Sequence, residues 1–289
     1  MKTERLVFSF LRLSFITLCC VLAPAFSFAK PHNPEERRIV SLAPSTTEWI
    51  VALGLEERLQ GITDQCDFPP QIRNKPKMGS YLRASVERIF AARATDVVVA
   101  DALPEVMRRR FEKSGVRVHV FAPQRLDDFP MRIRELGNAL GAPHAAEQWS
   151  GKFRLAIEGA RRDFANPKRA SRRALMFVSV DPVFVVGHTQ WLSDVFRLSG
   201  FENAFSDPRV TDAFPRLSFE VLAKLNADIW FGFGSGENLG GSQQAKLAEM
   251  GRRISRSVKP EIRILSADLF QRPGPRLLDA MAQLKGDSL

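Results

Sequence analysis

The sequence predicts an α/β protein of two similar lobes with mainly parallel sheets flanked by helices. One long backbone helix joins them, with a ligand cleft between the lobes. Three observations carry this expectation. Short apolar runs alternate with helical runs in both halves, the pattern of parallel sheets covered by helices. Between the halves lies a stretch of helical periodicity with no strand in it. One unit also recurs, a helix opened by Ser-x-Glu and followed by a buried strand. Ser85-Val86-Glu87-Arg88-Ile89 leads through Ala94-Thr95-Asp96 to Val97-Val98-Val99. Ser218-Phe219-Glu220-Val221-Leu222 leads through Asn226-Ala227-Asp228 to Ile229-Trp230-Phe231.

In the first half, residues 38–42 read as a buried strand. Ser45 with Glu48 three positions on has the pattern of a capping box opening a helix over 46–53, which Gly54 closes. A short strand is expected near 59–62. The run Asp67-Phe68-Pro69-Pro70 reads as a turn or extended loop, because proline disfavours helix in the residue before it. Helices over 86–93 and 107–113 then alternate with strands over 96–100 and 116–121. The middle reads as helices over 127–140 and 143–165. On the second, Trp149, Phe153, Ile157, Ala160 and Phe164 form one apolar stripe, and Asn166-Pro167 ends it. In the second half, strands are expected at 175–180, 228–231 and 262–266. Helices are expected at 191–198, 219–225, 243–255 and 275–284, with Gly200 closing the first of them.

The first 29 residues read as an export signal. Lys2 and Arg5 precede a short apolar stretch, Pro24 breaks it, and Ser27-Phe28-Ala29 offers small residues for cleavage after Ala29. A transmembrane anchor is the rival reading, but Arg12 and Pro24 leave too little uninterrupted apolar length for a span of roughly 20 residues. A lipid anchor at Cys19 or Cys20 is a further alternative, against which Leu18 is not the small residue such a site needs. Cleavage removes three basic residues and one acidic, so the net charge of +10 becomes +8. Export argues against a nucleic-acid partner, and no recognition motif is present. The basic surface reads as solvated charge, as in Arg108-Arg109-Arg110. Cys66 remains alone after cleavage, so no intramolecular disulfide framework is expected. The expected organisation is thus a signal (1–29), a flexible N-terminal segment (30–37), an N-terminal lobe (38–126), linking helices (127–167) and a C-terminal lobe (168–289).

No catalytic constellation is visible. His32, His119, His144 and His188 are scattered without metal-ligand spacing, so neither a metal site nor a cofactor is expected. Cys66 lies between Asp64 and Asp67, where like charge disfavours a thiolate. Gly232-Phe233-Gly234-Ser235-Gly236 follows a strand but matches neither phosphate-binding fingerprint, and reads as a plain loop. The candidate ligand contacts are aromatics at loop positions: Phe68, Tyr81, Phe184 and Phe214. Such rings offer large rigid apolar area, though each can equally pack under its loop. Asp268 and Arg272, four apart beyond the last strand, stand where open α/β sheets bind ligands. They can fix polar groups of a ligand or form a local salt bridge shaping the loop.

The chain resembles the cobalamin and ferric-siderophore group of binding proteins that serve ABC importers. The resemblance covers about residues 37–286. It rests on Arg38-Ile39-Val40-Ser41-Leu42-Ala43-Pro44-Ser45-Thr46-Thr47-Glu48, Asp67-Phe68-Pro69-Pro70, Val86-Glu87-Arg88-Ile89, Ser218-Phe219-Glu220 and Gly274-Pro275-Arg276. Within that group it is most similar to the cobalamin binders. The resemblance implies ligand contacts at Phe68, Tyr81, Phe184, Phe214, Asp268 and Arg272, with Tyr81 and Phe214 standing where those relatives carry tryptophan. It also implies that Glu87 and Glu220 dock on the two permease subunits. A glutamate in the first turn of a helix is favoured by the helix dipole in any case. The implied protein is a periplasmic, monomeric, non-enzymatic carrier of cobalamin or a related corrinoid. The alternatives are a ferric-siderophore or haem carrier, and a ligand sensor acting on a membrane partner.

Overall fold

The computed structural model describes residues 37–81, 83–165, 171–235, 241–254 and 260–287. The expected export signal and all of the N-terminal segment except Arg37 lie outside the described residues. The first lobe runs β1 (Ile39–Ser41), α1 (Pro44–Ala52), β2 (Leu59–Gly61), the hairpin β3 (Gly79–Ser80) and β4 (Arg83–Ala84), then α2 (Val86–Ala91), β5 (Asp96–Val99), α3 (Glu105–Lys113) and β6 (Arg117–Val120). Its sheet has the order β2-β1-β5-β6, parallel throughout. Two helices follow without an intervening strand, α4 (Phe129–Leu140) and α5 (Pro143–Phe164). The second lobe runs β7 (Arg172–Val180), β8 (Val183–Val185), α6 (Trp191–Leu198), β9 (Phe201–Asn203), α7 (Phe219–Lys224), β10 (Ile229–Gly234), α8 (Gly241–Ile254), β11 (Glu261–Ser266), α9 (Ala267–Phe270) and α10 (Leu277–Asp287). Its sheet has the order β11-β10-β7-β8, with β9 also paired to β7, and only β8 is antiparallel.

The central strands of the two sheets, β5 and β10, are buried and close to continuously apolar, as expected where helices cover both faces. Glycines end the helices where the sequence places them. Gly54, Gly141 and Gly200 all have positive φ, and Gly141 caps α4 in the left-handed conformation. The repeated unit is matched at atomic level. Ser85 caps α2 by accepting from the Arg88 amide at 3.2 Å, and Ser218 caps α7 by accepting from the Val221 amide at 3.3 Å.

Three expectations are corrected. Helix α1 begins at Pro44, with Ala43 as its N-cap, so Ser45 does not open it. The hydroxyls of Ser41, Thr46 and Thr47 form a buried cluster with the Ala43 carbonyl, and Glu48 turns away to a distant partner. The glycine run after residue 231 is not a loop from its start, because β10 extends to Gly234. A Cβ at Gly232 would stand 2.8 Å from both Ile264 and Leu247, so side chains of α8 and β11 approach this strand as only glycine allows. Phe184 lies on β8 rather than in a loop.

Helix α5, about 33 Å long at its 22 residues, forms the spine. Phe153 and Ile157 are buried, Trp149 donates to the Ala52 carbonyl of α1 at 2.9 Å, and Phe153 stacks on Phe129 of α4. A single apolar cluster runs from Ile39 and Trp49 through Phe129 and Phe153 to Phe196, Phe231 and Leu265. The two sheets therefore share one core across the spine.

Candidate functional site

The loop after β2 is the first arm of the site. Cys66 is its buried anchor, its sulfur 3.1 Å from the hydroxyls of both Thr47 and Thr63. That packing fixes the start of Asp67-Phe68-Pro69-Pro70 and gives Cys66 a structural part. Phe68 is left substantially exposed, with the Arg276 guanidinium 4.0 Å from its ring centroid. The β3–β4 turn is tied to the same loop, because the Tyr81 amide donates to Gln65 at 3.0 Å. The Tyr81 ring, 42% exposed, borders a pocket of about 220 Å³ with Leu42, Val99, Asp101 and Met107. Val99 ends β5, and Leu42 and Asp101 follow the carboxyl ends of β1 and β5. Burial, aided by the charge of Asp101, pushes the Tyr81 phenol above its ordinary value.

The second arm follows β11. Arg272 bonds Asp268 at 2.6 Å and Asp67 of the first lobe at 2.7 Å, with Glu48 of α1 at 3.5 Å. Asp268 and Arg272 thus form the salt bridge that is one of the two readings of this pair, as part of a wider cluster that bridges the lobes. Burial works against the Asp67 charge, and the hydrogen bond and charge of Arg272 outweigh it, so Asp67 titrates below the ordinary carboxylate value. Burial also opposes the Arg272 charge, and Asp67, Asp268 and Glu48 together raise its pKa despite it.

The third arm is an antiparallel ribbon of the second lobe. The Val185 amide donates to Pro215 at 3.2 Å and the Gly187 amide to Ala213 at 2.9 Å. Phe184 stands directly opposite Arg216. Directly opposed residues share a face and side chains alternate along a strand. Phe184, Phe214 and Arg216 therefore lie on one face, while Val183, Val185, Pro215 and Leu217 are buried on the other. Among the described residues, no hydrogen bond, ion pair or ring contact links Phe184 or Phe214 to the Phe68–Arg272 group.

Glu87 and Glu220 are the second residues of the matched six-residue helices α2 and α7, and both are exposed. Glu87 accepts from Arg110 at 3.1 Å and from Ser85 at 3.2 Å, and Glu220 pairs with none of the described residues. Local backbone hydrogen bonding, then Arg110 and Ser85, hold the Glu87 carboxyl below its ordinary value.

Sequence reasoning missed Glu48, Asp67 and Arg276 as site residues. Glu48 and Arg276 are 228 positions apart, and no local pattern pairs them. Among the described residues, no group of three or more His, Cys, Asp or Glu is placed to hold a metal, and no helix is long and apolar enough to cross a membrane.

Two α/β lobes share one core along a helical spine, with exposed rings and a carboxylate–guanidinium cluster beyond the strand ends. That combination defines a two-lobed ligand-binding protein. The chain belongs to the periplasmic binding protein family, whose profile matches residues 39–253. It is 25% identical over 269 residues to the vitamin B12-binding protein of Vibrio campbellii, covering 92% of this chain and 94% of that protein. The solved periplasmic vitamin B12 binding protein of Vibrio cholerae superposes with a TM-score of 0.68 at 24% identity, over 86% of this chain and 95% of that one. A periplasmic heme binding protein from Pseudomonas aeruginosa superposes with a TM-score of 0.74 at 23% identity, over 87% and 92%.

Proposed function

We propose that the protein captures cobalamin or a related corrinoid in the periplasm and delivers it to the permease of an ABC importer, without turnover. The observation that carries this reading is the set of exposed rings, Phe68 and Tyr81 on the first lobe and Phe214 on the second, with half-buried Phe184 on the same ribbon face as Phe214, together with the Asp268–Arg272 pair. A broad, largely apolar ring system rimmed by amide groups needs flat apolar area with a few charged groups that both donate and accept. The similarity to vitamin B12-binding proteins along nearly the whole chain supports the same ligand. In this reading residues 1–29 are a signal cleaved after Ala29, and the mature protein works as an unlipidated monomer.

The test is calorimetric titration of the mature protein with cyanocobalamin. Saturable one-to-one binding is expected. No heat and no thermal shift, from protein shown to be folded, would overturn the corrinoid reading. Arg272→Ala is expected to weaken that binding about tenfold, the scale of one lost hydrogen bond to a charged group. An unchanged affinity would remove Arg272 from the site.

The haem alternative has support in the heme binding neighbour and in Tyr81, since a tyrosine can ligate ferric haem. Ligation needs the phenolate. Burial and Asp101 favour the neutral phenol, and Tyr81 stands six residues before Glu87, the register that the resemblance gives to a corrinoid contact, so haem ranks second. Spectral titration with haemin separates the two.

Glu87 and Glu220 serve as the docking charges, one on each lobe. Alanine at both is expected to leave cyanocobalamin affinity unchanged and to lower stimulation of a reconstituted transporter's ATPase about tenfold. A parallel loss of ligand affinity would show that the glutamates act on the cleft instead.

A further inference from the structure

We propose that Glu48 is a positioning residue of the ligand cleft, a buried bracket that orients Arg272 directly and Phe68 through Arg276. The proposal rests on the reading of the cleft given above and names the group that sets its geometry. Glu48 lies on α1 with its side chain 2% exposed. Its carboxylate receives a two-pronged bond from Arg276, Nε to Oε2 at 3.0 Å and a terminal nitrogen to Oε1 at 2.5 Å. Arg272 reaches the same Oε1 at 3.5 Å. Both arginines belong to the second lobe, so this one carboxylate of the first lobe faces the whole turn that carries them.

Two further contacts tie the bracket to the cleft. The planar Arg276 guanidinium, held by both prongs, lies against the Phe68 ring. One face of that ring is thereby backed by a fixed cation. The chain also approaches the carboxylate at Gly274, where a Cβ would stand 2.9 Å from Oε2. This gives the glycine of Gly274-Pro275-Arg276 a physical reason. The neighbouring Pro273 carbonyl accepts from the Trp49 indole at 2.9 Å, which fixes the turn from the adjacent residue of α1.

Stability alone does not account for a carboxylate here. A buried ion pair recovers little more than its own desolvation cost, and apolar side chains of equal volume often stabilise as well. What the pair supplies is orientation, and the groups it orients are a ring and a guanidinium assigned to ligand contact.

The experiment uses Glu48→Gln, Phe68→Ala and the double variant. Arg276→Lys is a second probe that keeps the charge and loses the planar fork that bonds Glu48. Cyanocobalamin affinity is measured in each, with amide hydrogen exchange over residues 67–74 and 271–277 of the ligand-free proteins. Glu48→Gln is expected to weaken binding about tenfold in the parent protein and less than about threefold when Phe68 is already alanine, because coupled residues are non-additive. Both segments are expected to exchange faster in Glu48→Gln and in Arg276→Lys. Equal losses of affinity in the two backgrounds, or unchanged exchange in both segments, would overturn the bracket. If the parent protein fails to bind cyanocobalamin, the corrinoid reading falls, and the exchange measurement decides the bracket by itself. If Glu48→Gln does not fold, Arg276→Lys carries both measurements.

Discussion

Replacing Trp49 by alanine is expected to cost the fold about 4 kcal/mol, the largest single effect foreseen in this protein. Trp49 is fully buried on α1. Its ring stands 5.4 Å from Phe121 of the first lobe, and 5.6 Å and 5.7 Å from Phe153 and Trp149 of the spine helix. Its indole N–H reaches across to the Pro273 carbonyl of the second lobe. Alanine would leave a cavity where lobe, spine and lobe meet, together with a carbonyl lacking its donor. Urea denaturation should show the fall as a lower midpoint. Trp49→Phe keeps most of the ring and loses the bond, and should cost only about 1–2 kcal/mol. Equal losses for the two variants would mean that the hydrogen bond, not the packing, carries the junction.

Asp96 is expected to show the second largest effect, and it acts by charge. Its carboxylate has 0% side-chain exposure at the start of β5. It accepts from Arg117 at 2.9 and 2.8 Å, His119 at 2.8 Å, Thr95 at 2.7 Å and Arg37 at 3.2 Å. Burial alone would raise its pKa. The bonds from His119, Arg117 and Thr95, with the Arg117 charge, outweigh it and hold the group far below the usual carboxylate range. Asp96→Ala should destabilise by about 3 kcal/mol, near the low end for breaking a buried pair, because the half-exposed Arg117 can regain water. The sign of the pH dependence follows. A carboxylate depressed in the folded state stabilises fully above its unfolded value of about 4 and loses that contribution as pH falls toward the native value. The parent protein should therefore lose stability between pH about 4 and about 2 more steeply than Asp96→Ala does. Identical acid limbs in urea melts would show that Asp96 is not the group responsible.

The cluster at Arg272 joins Asp67 of one lobe to Asp268 of the other, and the spine fills the space beneath with continuous core. Under the proposed function, a ligand bound between these lobes meets walls already joined by core and ion pairs, so affinity depends on how the rings and guanidinium are held in advance.

Much of this was readable in the residues alone. Alternation of buried runs with helical runs set the α/β class. The stripe from Trp149 to Phe164 set the spine, although its last member stays exposed beyond the packed part. The paired Ser-x-Glu units located two equivalent capped helices, because a cap is a matter of three residues and one bond. Aromatics away from helical stripes marked Phe68, Tyr81 and Phe214, each of which stays exposed in the fold.

Tertiary structure decided the rest. Ser45 and Glu48 have the spacing of a cap, yet the chain turns the neighbouring hydroxyls inward and gives the carboxylate to Arg276. Gly232 reads as loop because a strand gains nothing from glycine locally, and only the approach of Ile264 and Leu247 explains it. Likewise, Asp268 and Arg272 announce a pair four residues apart, but not that Asp67 completes it from the other lobe. Sequence fixes what depends on hydrogen bonds and periodicity within a few residues. A site assembled from α1, the loop after β2 and the turn before α10 depends on which distant surfaces the shared core brings together. That is settled only when the whole chain has packed.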